Sequence, residues 1–182
     1  MKTFKKVLIY QIVILCFFNM YVHGTSKNNI YTLASENEVQ EVTRDAPNYY
    51  KKSIEAGDTN AMNNLGIMYM EGQGVKQDYK TAEKYFRQAA EIGDTNAMNS
   101  LGIMYWKGQG VKQDYKTAEK YFRQAAEIGD TNAMSHLGMM YMEGQGMKQD
   151  YKTAEKYLRQ AAEIGNANAK NNLSIMNKQR HK

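Results

Sequence analysis

The sequence predicts an all-α solenoid of stacked helix pairs, and three observations lead there. The first is an internal period: DTNAMNNLGIMYMEGQGVKQDYKTAEKYFRQAAEIG at 58–93 returns at 94–129 with three changes and at 130–165 with five. A period of this length marks a repeat array, because one short unit cannot bury its apolar face and neighbours must stack to make a core. The second is the spacing of apolar residues inside each copy, which follows a helix twice over. The third is the glycine punctuation between those two stretches, where the chain has to turn.

In chain order, MKTFKKVLIYQIVILCFFNMYVHG (1–24) has the build of a secretory signal peptide. Lys2, Lys5 and Lys6 form its basic end, Val7 to Phe18 an apolar core interrupted by Gln11, and Val22 and Gly24 suit cleavage before Thr25. The apolar run is shorter than a typical membrane span. If it stayed uncleaved as an anchor, the only expected membrane association, positive charge would still remain inside and the repeats outside the cytoplasm. Export therefore sets the expected location, secreted or periplasmic. Cys16 is the only cysteine, so the exported part has none to pair. Residues 25–44 read as a polar linker, with Ser35 and Glu38 at capping-box spacing for a short helix. Shifted by one period, Tyr49, Tyr50, Ser53, Ile54 and Gly57 align with Tyr85, Phe86, Ala89, Ala90 and Gly93. Residues 45–57 are thus expected to form a solitary second helix that caps the array, with Pro47 in its first turn.

Within each full copy, Ala61, Leu65 and Tyr69 fall at i, i+4 and i+8, with Met62 and Met68 alongside, giving the first helix its apolar face. Gly72-Gln73-Gly74 stops that helix, Val75 anchors the turn and Asp78 caps the second helix. Ala82, Tyr85, Phe86, Ala89 and Ala90 form the second buried stripe, which Gly93 ends before Asp94 or Thr95 caps the next unit. Gly66, Gly102 and Gly138 lie mid-helix, at about 1 kcal/mol each against alanine. Their recurrence predicts close backbone-to-backbone approach. Residues 166–178 repeat the first helix with Ala169 and Leu173 kept, while Lys170, Ser174 and Asn177 replace Met134, Gly138 and Tyr141. Polar substitution of this kind suits a C-terminal cap with nothing stacked beyond it. The basic tail from Asn177 is expected to fray.

The composite pattern A-x(3)-L-G-x(2)-Y-x(2)-G-x-G-V-x(2)-D-x(3)-A-x(2)-Y-x(3)-A-A-x(2)-G resembles the Sel1-like repeat (SLR) family, a branch of the tetratricopeptide-like solenoids. The resemblance covers Asp58 to Gly165 and implies a right-handed α-α superhelix whose first helices line a concave groove. It also implies a scaffold for protein–protein contact. A β-lactamase-like activity attached to cysteine-rich secreted relatives does not carry over, because the cysteine pair of each repeat is missing here. That hydrolase and a structural part of an envelope assembly remain the alternatives.

Charge argues in the same direction. The formal net charge is +5, but three of the lysines sit in the signal peptide, and acidic and basic residues nearly balance from Asp58 to Gly165. Glu83, Arg87 and Glu91 alternate in sign along one helix, as on a solvated face, whereas a nucleic-acid reader gathers basic residues together. Gly72-Gln73-Gly74-Val75-Lys76 lacks both the preceding strand and the Gly-Lys-Ser/Thr ending of a phosphate loop. His136 has no cysteine or second histidine at ligand spacing, and Ser135 beside it points elsewhere on a helix. The sequence therefore leads us to expect no enzyme, cofactor or metal, and a monomer that binds protein.

Where the copies differ is the remaining clue. Five of seven varied positions lie on the first helix: Asn63/Asn99/Ser135, Asn64/Ser100/His136, Ile67/Ile103/Met139, Met70/Trp106/Met142 and Glu71/Lys107/Glu143. Their offsets define one helical face opposite Ala61, Leu65 and Tyr69. Resemblance puts that face in the groove, where it would bind another protein or an extended peptide. Trp106 is its large aromatic, and Lys107 gives the row an acidic–basic–acidic order. The other two differences, Val75/Val111/Met147 and Phe86/Phe122/Leu158, are apolar exchanges.

Overall fold

The computed structural model describes residues 36–180, with side chains from residue 44 onward. The signal-peptide reading and most of the linker lie outside them. Among the described residues the chain is helical throughout: α1 Glu36–Glu55, α2 Asn60–Glu71, α3 Tyr79–Glu91, α4 Thr95–Lys107, α5 Tyr115–Glu127, α6 Thr131–Glu143, α7 Tyr151–Glu163 and α8 Ala167–Arg180. Consecutive helices pack against one another, and among the described residues no helix is long and apolar enough to cross a membrane.

The caps follow the sequence. Asp78, Asp114 and Asp150 each accept the backbone N–H groups two and three residues ahead, at 2.9–3.2 Å, and the threonine hydroxyl three residues on. Asp94 and Asp130 cap α4 and α6 through Ala97 N and Ala133 N, at 2.8 and 2.7 Å. The turn after each first helix holds a device that pattern reading missed. Gln77, Gln113 and Gln149 fold back seven residues to donate to the carbonyls of Met70, Trp106 and Met142, at 2.7–2.8 Å. These satisfy acceptors that a helix end leaves open.

Each apolar core straddles a repeat boundary. Ala82, Phe86 and Ala89 of α3 pack with Ala97, Leu101 and Met104 of α4. Ala118, Phe122 and Ala125 of α5 meet Ala133, Leu137 and Met140 of α6. The ends repeat the scheme: Ala46 and Tyr50 of α1 cover Ala61 and Leu65, and Ala169 and Met176 of α8 cover Ala154 and Leu158. The second helix of one unit and the first of the next therefore share a core. The 58–93 frame cuts through it.

Four local expectations are corrected. α1 begins at Glu36, well before 45, so Pro47 lies inside a 20-residue helix, buried, and withholds one backbone donor there. The repeat register could reveal only the part of α1 that aligns with α3. α8 stays helical to Arg180, whose guanidinium bonds Glu155 at 2.8 Å and holds the tail that composition alone leaves to fray. At Gly66 and Gly102 the nearest neighbour of an added Cβ is a ring, Phe86 at 2.6 Å and Phe122 at 2.4 Å, whereas at Gly138 the Ala154 backbone carbonyl does come close, at 3.3 Å beside Leu158. Finally, Glu83 and Arg87 are more than a solvated pair. Arg87 donates to Glu83 and to the Tyr105 and Tyr121 hydroxyls, and Tyr105 donates to Glu83 at 2.8 Å. Glu119, Arg123, Tyr141 and Tyr157 repeat this clamp one unit later.

Candidate interaction face on the first helices

The varied positions of α2, α4 and α6 line the seam where first helices of successive units meet, so most are less exposed than a solvated face requires. Asn63, Ser135, Ile103 and Met142 are buried. Asn64, Asn99, Ser100, Ile67, Met139, Met70, Trp106 and His136 are partly buried, while Glu71, Lys107 and Glu143 are exposed. The physical reason is the stacking itself, which turns one flank of each first helix against its neighbour.

The polar members pair across the seam. His136 Nδ1 lies 3.0 Å from Asn99 Oδ1, so the ring donates there, and Asn172 Nδ2 donates to Ser135 Oγ at 3.2 Å. Both partners are 37 residues apart. The same step from Asn63 leads to Ser100, yet among the described residues no donor reaches the buried Asn63 Oδ1. A buried acceptor left in this state carries a desolvation cost of about 1–3 kcal/mol.

Trp106 and His136, residues that no other copy has, are partners. Their ring centres are 5.5 Å apart, and the imidazole also faces Phe122 at 4.8 Å. Trp106 meets Phe122 edge-on at 6.1 Å, and its indole N–H donates to Gln145 of the next turn. Burial among these rings, aided by Lys107, lowers the His136 pKa from 6.5 to about 4, so the imidazole is neutral near pH 7. Trp106 is thus held in place and only partly buried, beside the exposed Lys107. Among the described residues no three His, Cys, Asp or Glu side chains gather as metal ligands.

Three segments, 59–94, 95–130 and 131–166, match the Sel1 repeat, one residue on from the frame read off the sequence. Among curated proteins, none matches the chain. A Sel1 repeat protein from Oxalobacter formigenes is similar in structure, with a TM-score of 0.66 and 38% identity over 70% of this chain and 52% of that one. A protective antigen present in uropathogenic Escherichia coli strains and displaying an SLR fold aligns at 0.62 and 29%, over 85% of this chain and 38% of its own. Cysteine rich protein B of Helicobacter pylori aligns at 0.56 and 25%, over 72% and 94%. The chain therefore spans about half or less of the first two proteins and nearly all of the third.

Proposed function

Since the chain belongs to the Sel1 repeat family, a helical scaffold suited to protein–protein contact, we propose that it is an exported monomer that binds a protein or extended peptide along its first helices. The observation that carries this reading is the partly buried Trp106 beside the exposed Lys107, flanked by the exposed Glu71 and Glu143. Tryptophan is among the residue types enriched where binding energy concentrates. The charge row sets orientation and association rate. The reading assigns no catalytic residue, cofactor, metal or nucleic acid. Export rests on the basic-then-apolar segment at 1–24.

The test starts from peptides selected by display on the immobilised protein. Trp106→Met with Lys107→Glu installs the residues of the flanking copies and should weaken selected peptides about 30-fold, the equivalent of roughly 2 kcal/mol at a hot spot. Lys84→Gln on the exposed side of α3 should leave them unchanged. Glu83 is unsuitable as that control, because it belongs to the tyrosine clamp. Undiminished binding by the double variant would refute the assignment of the face.

A further inference from the structure

Each second helix ends in a way its own stability does not favour. Ile92, Ile128 and Ile164 stand at the C-caps of α3, α5 and α7, and are 52%, 63% and 67% exposed, more than any other large apolar residue described. A Cβ on the glycine after each would meet nothing within 4 Å, so the surface beside them is open. Before each stands an exposed glutamate, Glu91, Glu127 or Glu163, as the last helical residue. There the helix dipole disfavours negative charge. None of the three has an ion-pair partner among the described residues.

The arrangement repeats along a whole edge of the array. The turns 54–60, 90–96, 126–132 and 162–168 together hold seven carboxylates and no lysine, arginine or histidine. They act on one another: burial pushes the Asp130 carboxyl up, and Asp94 from the preceding turn adds to the rise. At the opposite edge, turns 71–80, 107–116 and 143–152 hold seven lysines against five carboxylates. An array nearly neutral in total is polarised from edge to edge, and its three most exposed isoleucines lie on the acidic side.

We propose that this isoleucine–glutamate edge is a second docking surface, fitted to a cationic amphipathic segment of a partner protein. Aliphatic side chains of that segment cover Ile92, Ile128 and Ile164, while its lysines or arginines meet Glu91, Glu127 and Glu163. Two other occupants fit less well. An anionic lipid surface is repelled by the carboxylates. A second copy offers its lysine edge, but Val75 and Val111 there pack into their own cores and leave little apolar cover.

The probe is a fluorescein-labelled 18-residue helical peptide of leucine and lysine, with leucines at heptad spacing, titrated into the intact protein by anisotropy. Binding should weaken at least tenfold in the Ile92→Ser, Ile128→Ser, Ile164→Ser triple variant. Glu91→Gln, Glu127→Gln and Glu163→Gln together should weaken it and flatten its salt dependence. Emission from Trp106 should stay unmoved in the wild type. Circular dichroism confirms that both triple variants fold, as exposed positions allow. The proposal is overturned if all three proteins bind alike, or if the matching leucine–glutamate peptide binds as well. It is also overturned if the isoleucine variant loses only adhesion to phosphatidylglycerol vesicles, or only self-association by sedimentation. Those two outcomes would assign the edge to lipid or to a second copy.

Discussion

His136 shows how a single repeat-specific residue is read differently alone and in place. By sequence it is a histidine without metal-ligand company. In the structure it is a neutral ring between Trp106 and Phe122, donating to Asn99. Its folded pKa, about 4, lies below the ordinary 6.5, so acid protonates the unfolded chain first. The sign follows: stability is whole above pH 6.5, falls between 6.5 and 4, and levels off below, with a slope of at most about 1.4 kcal/mol per pH unit. Moving from pH 7 to 4.5 should therefore cost the wild type about 2–3 kcal/mol more than His136→Asn, which carries the first copy's residue. Denaturant unfolding of both proteins at the two pH values measures the difference, and an equal loss would mean that the ring is solvated. The pairing itself was illegible in sequence, because a 37-residue separation says nothing until the units are stacked. The Glu83–Arg87–Tyr105–Tyr121 clamp was hidden for the same reason, although the in-step recurrence of all four residue types was a usable signal.

At the scale of elements, helix positions were legible because glycine and aspartate punctuate the chain by local chemistry. The first half of α1 lies where the repeat pattern is lost; there the Ser35–Glu38 capping-box spacing marked a short helix, but not that it runs unbroken to Glu55. The mid-helix glycines show local and tertiary terms in opposition. Replacing Gly102 with alanine gains about 1 kcal/mol of helix propensity. The new Cβ, however, would stand 2.4 Å from the fully buried Phe122 ring, and overpacking of that kind costs about 1–3 kcal/mol. Gly102→Ala should thus be destabilised on balance. Gly138→Ala should lose less, because its neighbour there is the more flexible side chain of Leu158. Thermal midpoints of the two variants decide this, and a stabilised Gly102→Ala would show that the helices pack more loosely than described. The ring-for-leucine exchange at Leu158 was visible in sequence, but its coupling to the glycine was not.

For the whole molecule, the repeat period alone carried the fold, while the location of its cores needed coordinates. Leu101, on the first helix of its unit, packs against Ala82, Phe86 and Ala89 of the preceding unit. Leu101→Ala should cost about 2–5 kcal/mol, and a shared core means that the loss spreads across the boundary between units. Hydrogen exchange should show faster exchange in α3 and α4 together; confinement to α4 would separate the units. The candidate face was legible as a set of positions, because variation among near-identical copies isolates them. Their burial was not, because stacking turns part of that set into a seam. The central claim is that this face receives the partner, and Trp106, the only tryptophan in the chain, reports on it directly. Titrating display-selected peptides against tryptophan emission is the decisive measurement. The account predicts a saturable shift in emission with the same midpoint as binding measured independently. Tight binding that leaves the emission of Trp106 unchanged would contradict it.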